Sequence, residues 1–106
     1  MKVAFPDDHR AAAMRAAFFA DLEQRLADLA SIGGRLEGGE LSENEARRAI
    51  LAHLHDIKGC GTPYGVTQAT ELARAYEREL SPGAATAALL AERLDSLLNS
   101  FRDLMP

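Results

Sequence analysis

The sequence predicts an all-α protein, an antiparallel up-down four-helix bundle, and three observations predict it. Apolar residues recur every three or four positions, as one face of a helix requires. Alanine is abundant while runs of β-branched residues are absent. Composition shifts only at three short glycine- or proline-containing stretches, which divide the chain into four segments joined by short connections, the usual grammar of an up-down bundle. Helices are expected over about 7–32, 43–60, 65–80 and 83–104, in a single domain spanning 1–106.

The first segment opens at Pro6-Asp7-Asp8, a helix-start signature. Met14, Phe18, Leu22, Leu26 and Leu29 then form its apolar stripe. Ile32-Gly33-Gly34-Arg35-Leu36-Glu37-Gly38-Gly39 is expected as a loop, because glycine inside a helix costs about 1 kcal/mol relative to alanine. The second helix begins at Ser42-Glu43-Asn44-Glu45, where Ser at the N-cap and Glu three residues on make a capping box. It ends near Gly59-Cys60-Gly61-Thr62-Pro63-Tyr64-Gly65. Ser81-Pro82 supplies a capping hydroxyl before a proline at the first position of the fourth helix. Leu90, Leu94, Leu97, Phe101 and Leu104 form the stripe of that helix.

Length and charge narrow the function classes. A chain of 106 residues with 47 % hydrophobic residues buries enough surface to fold without a disulfide or metal. Twelve basic against sixteen acidic residues, a net charge of −4, argue against binding nucleic acid through phosphate contacts. No apolar run approaches the roughly 20 residues that span a bilayer. The start turns acidic and prolyl too early for a signal peptide, and a single cysteine, Cys60, matches a reducing compartment, so a cytoplasmic protein is expected.

The chemistry concentrates in the second helix. On a wheel of about 100° per residue with His55 at zero, Ala46, Ile50, Leu54 and Ile57 fall between about 180° and 260° and define the buried face. His55 stands about 140–160° from the middle of that face, in solvent, whereas His53, at about 160°, is a boundary residue that packs and hydrogen-bonds. Two residues apart on a helix, the two rings diverge and cannot share a metal, so no metal site is expected. Lys58, at i+3 from His55, can reach anything attached to the imidazole, while Gly59, at i+4, leaves the flank of the ring open to a partner. Gly59 also belongs to the helix end, and both roles are compatible. Arg48, Leu51 and Ala52 complete a mixed apolar and basic patch suited to docking another protein. An exposed nucleophile with a lysine beside it suits phosphoryl chemistry, because a phosphate is dianionic and needs a partner cation.

The remaining residues take plainer readings. Asp56 is expected as a solvated surface carboxylate, Cys60 as a small filler, and Tyr64 and Tyr76 as packing residues with satisfied hydroxyls. Arg74 and Arg78 are expected as surface charges. The Gly33-Gly34 and Gly38-Gly39 doublets do not match phosphate-binding spacings, and no P-loop is present.

The segment His55-Asp56-Ile57-Lys58-Gly59-Cys60-Gly61-Thr62-Pro63-Tyr64-Gly65 resembles the signature of the histidine-containing phosphotransfer (HPt) domain of multistep phosphorelays: His, two residues, Lys-Gly, a small residue, and a glycine ten positions after the histidine. The specific match covers roughly 53–77, about a quarter of the chain. The resemblance implies that His55 is the phospho-acceptor, Lys58 helps hold the phosphoryl group, Gly59 leaves room for the partner, and Gly65 is structural. Glu77 lies on the neighbouring helix near where the family places a polar side chain that orients the imidazole. Cys60 and Thr62-Pro63 depart from the family's small, helix-compatible residues, so the second helix is expected to end earlier than is typical of the family. The resemblance further implies a monomeric phosphocarrier with no cofactor of its own. Its partners are response-regulator receiver domains that bring Mg²⁺, a hybrid histidine kinase being one place where such a domain resides. The chain would not phosphorylate itself with ATP. Two competing readings are a helical adaptor or inhibitor that binds a kinase or receiver without carrying phosphate, and a dimerisation bundle of a histidine kinase.

Overall fold

The computed structural model describes residues 6–80 and 87–106, with four helices and no strand among them. These are α1 (Pro6–Glu37), α2 (Glu43–Gly61), α3 (Thr67–Glu79) and α4 (Ala87–Arg102). The Ser81-Pro82 start of the last helix lies outside the described residues.

One core unites them. Phe18, Leu22, Leu26, Leu29 and Ile32 of α1 meet Ala46, Ile50, Leu54 and Ile57 of α2, Ala69, Ala73 and Tyr76 of α3, and Leu90, Leu94, Leu97 and Phe101 of α4. The α2 set is the one the wheel places inward. Met14 and Leu104, expected at the ends of their stripes, are only half-buried. The Tyr76 hydroxyl lies 2.8 Å from Ser96 Oγ and 3.1 Å from Ser100 Oγ, which ties α3 to α4 and satisfies a buried polar atom.

The helix ends correct the expected boundaries. The first helix does not stop at 32 but runs through Gly33-Gly34 to Glu37. Its stripe continues, with Ile32 buried and Leu36 packed on the core, and burial of such side chains, about 1.5–3 kcal/mol when complete, offsets the glycine penalty. Gly33 also permits close packing: a Cβ there would lie 2.9 Å from Leu94 Cδ2. Only Gly38-Gly39 belongs to the turn, with Gly39 at φ +77°. The capping box at α2 forms as read, with Glu45 N donating to Ser42 Oγ at 3.1 Å and Ser42 N donating to Glu45 Oε1 at 3.0 Å. Those hydrogen bonds, led by the one from the Ser42 backbone, hold the Glu45 carboxyl below its ordinary pKa. At its other end α2 stops at Gly61, one residue past the expected 60 and directly before Thr62-Pro63, with Thr62 still in helical conformation. Gly65, at φ +87°, turns the chain, and α3 starts at Thr67 rather than 65 because neither Gly65 nor Val66 (φ −122°, ψ 67°) is helical. The fourth helix ends at Arg102, short of 104.

Candidate functional site

The outward ridge of α2 carries the histidine. His55 is exposed while Leu54 and Ile57, on either side of it in sequence, are fully buried. An α-helix that commits Ala46, Ile50, Leu54 and Ile57 to the core has no choice but to direct residue 55 away from it. Arg48 and Ala52 are exposed on the same ridge. Gly59 faces open space, since a Cβ built there meets no atom within 4 Å. Leu51 is half-buried and packs on the core edge, so it is a partial rather than a free member of the patch. With Asn44, Arg47 and Arg48 it borders a shallow hollow of about 270 Å³. Arg47 itself is buried and paired with Glu43 at 2.9 Å, one turn back on the same helix.

Lys58 leans from the ridge toward α3, where its Nζ lies 2.9 Å from Oε1 of Glu77. Both side chains are largely shielded, at 31 % and 22 % exposure, so this pair is screened less than an open surface bridge. The structure therefore brings Glu77 beside the site, and what it engages there is the lysine ammonium.

The opposite flank of α2 is fastened to α1 by Arg25. Its guanidinium donates to Asp21 at 2.8 Å and to Asp56 at 3.1 Å, and its Nη1 is 3.3 Å from Nδ1 of His53. A guanidinium can only donate, so Nδ1 of His53 is the acceptor. Partial burial works against the Arg25 charge, but the hydrogen bond and charge of Asp21, then those of Asp56, more than offset it and leave its pKa raised. His53 is thus the half-buried, hydrogen-bonded residue the wheel describes. Asp56 is the exposed surface carboxylate expected, and it also pairs with Arg25 of α1. Farther along, Cys60 is a half-buried free thiol. Tyr64, expected as a packing residue, is 38 % exposed and lies with its ring centroid 6.4 Å from that of Phe18. These two residues border a hollow of about 240 Å³ with Ala17, Phe18 and Asp21. Arg74 and Arg78 are exposed on α3.

Two contributors escaped the sequence reading. Arg25 gave no pattern beyond its i,i+4 spacing from Asp21, because its other partners lie 28 and 31 residues away. Thr70 could have been flagged as a polar residue on the buried side of α3, between Ala69 and Ala73. Its hydroxyl accepts from Thr62 N at 2.9 Å and donates to the Lys58 carbonyl at 3.0 Å.

The arrangement offers an exposed imidazole, open space at Gly59 one turn on, and a lysine three residues on whose ammonium pairs with Glu77 of the neighbouring helix. Among the described residues no cluster of three or more His, Cys, Asp or Glu side chains could hold a metal ion, and no helix is long and apolar enough to cross a membrane. Compared with known proteins, residues 13–104 match the model of the family described as Hpt domain. No curated protein and no solved structure matches the chain.

Proposed function

The chain belongs to the Hpt domain family, whose members carry phosphoryl groups on histidine in phosphorelays and interact with response-regulator receiver domains, and on that premise we propose that His55 is the carrier residue here. The observation that supports this most directly is the exposure of His55 on a ridge whose adjacent residue, Gly59, leaves open space. A receiver phosphorylated on aspartate docks over Arg48, Leu51, Ala52 and Gly59. The imidazole, through Nε2, attacks phosphorus in line; the phosphorus–oxygen bond to the aspartyl carboxylate breaks as the phosphorus–nitrogen bond forms, and the carboxylate leaves with the electron pair. The reverse step on a second receiver, which belongs to a hybrid kinase or a separate regulator, passes the group on. The receiver brings Mg²⁺ and much of the charge stabilisation that phosphoryl transfer needs.

Lys58 is the local cation for the phosphohistidine. At contact distance its attraction to one phosphate charge is about 1–4 kcal/mol, depending on the effective dielectric. Because its ammonium already pairs with Glu77, the phosphoryl group shares or competes for that ammonium, so the net gain lies toward the lower end.

The chain acts as a monomer in the cytoplasm, its helices arranged up and down. Support for that arrangement comes from Arg25 meeting His53 and Asp56 while the earlier Phe18 of α1 meets the later Tyr64. The test is transfer from a phosphorylated receiver. Wild-type protein gains acid-labile label, His55→Gln gains none, and undiminished label on the variant would end the assignment. If no receiver delivers label to the wild type, the chain is an adaptor instead.

A further inference from the structure

We propose that Thr70 is a positioning residue for Lys58, acting through the main chain of the last turn of α2; this deepens the phosphocarrier reading and rests on it. The final four carbonyls of a helix lack intrahelical partners in full, and this last turn is intrinsically weak because it contains both Gly59 and Gly61. Yet it is the turn from which Lys58 projects.

The Thr70 side chain, 8 % exposed on α3, reaches into that turn and bonds both sides of it, taking the Thr62 N–H and giving its proton to the Lys58 carbonyl. Gly61 makes the reach possible. A Cβ at Gly61 would lie 2.8 Å from the Thr70 nitrogen and 2.9 Å from the Val66 oxygen, closer than such atoms can pack.

Seven residues on from Thr70, about two turns and hence on the same face of α3, Glu77 holds the Lys58 ammonium at 2.9 Å. One helix therefore grips Lys58 at both ends. Thr70 fixes where the flexible four-carbon stem leaves α2, and Glu77 fixes where the charge points. Thr70 does not touch the phosphoryl group; it sets the origin from which Lys58 reaches it, and small displacements of a positioning group are costly in transfer chemistry.

The test uses the full chain and phosphoramidate as a small phosphoryl donor, whose P–N bond breaks to release ammonia as the bond to the His55 imidazole forms and the ring proton passes to solvent. Thr70→Val, which keeps shape and removes the hydroxyl, is expected to lower the initial rate of acid-labile labelling about fivefold, and Thr70→Ser to restore it to within about twofold. In a Lys58→Ala background, Thr70→Val should lower the rate no further, because the two substitutions interrupt one path. Labelling of Thr70→Val at the wild-type rate overturns the proposal. So does an equal fivefold loss in the Lys58→Ala background, which would mark the hydroxyl as structural only. Amide exchange at Thr62 needs no phosphate and should quicken in Thr70→Val but not in Thr70→Ser; unchanged exchange in both also overturns it. Label on His55→Gln, or none on the wild type, is a separate failure that defeats the phosphocarrier reading and this assignment with it.

Discussion

Gly59 and Gly61 stand two residues apart in one helical turn and do opposite things. A side chain at Gly59 would meet nothing within 4 Å, whereas one at Gly61 would strike the backbone of α3 and of the turn before it. The first leaves room on the outside of the molecule, the second makes room within it. Composition cannot separate them, because both read as helix-ending glycines; only the face each occupies does.

The sharpest way to break this contrast is Gly61→Ala. Alanine favours the helix, but overpacking against Thr70 and Val66 should dominate and destabilise the fold by about 1–3 kcal/mol. A urea titration with an unshifted midpoint would show that α3 can retreat at no cost. Next in size is the other end of α2, where Ser42→Ala removes the capping hydroxyl and should cost about 1 kcal/mol. That loss, read from the same titration, should leave phosphoryl labelling of His55 untouched, since the cap is more than three turns away.

Gly59→Ala should have the opposite sign, a gain of up to about 1 kcal/mol from helix propensity alone. Gly59→Leu carries the functional half of the comparison. It should slow transfer from a phosphorylated receiver about tenfold or more while leaving labelling by phosphoramidate near the wild-type rate, because only the large donor needs the open flank. Equal slowing with both donors would place the leucine over the imidazole and not in the docking path.

The smallest effect concerns acid. The Glu45 carboxyl has its pKa lowered in the folded chain by the Ser42 hydrogen bonds. Its contribution to stability is therefore present above the ordinary glutamate value of 4.5 and is lost as pH falls through the lower folded value. Glu45→Gln should flatten that part of the stability profile between about pH 5 and 3, and an unchanged acid limb would remove the capping box from the account.

What was legible in the sequence was whatever depends on neighbours along the helix. The 3–4 spacing placed Ile50, Leu54 and Ile57 inside and His55 outside, and the Ser42–Glu45 spacing wrote its own cap. Boundaries set by tertiary packing were not legible. Gly33-Gly34 reads as a break until Leu94 of α4 is seen lying against Gly33 and Ile32 is seen buried beside it. Two supports of the site were hidden for the same reason: Arg25 and Thr70 lie on other helices, and pairings across 12 to 31 residues leave no periodic trace. Asp56, alone on the wheel, had no visible partner because its partner is on α1.

Arg25 has a mechanical consequence. If α1 slid along α2 by a single turn, about 5.4 Å, Asp21 would travel with Arg25, but Asp56 and His53 would both be left behind. One guanidinium thus acts as a dowel between the longest rod of the molecule and the rod bearing the imidazole. Sliding one rod past the other would break both cross-helix contacts of that guanidinium at once.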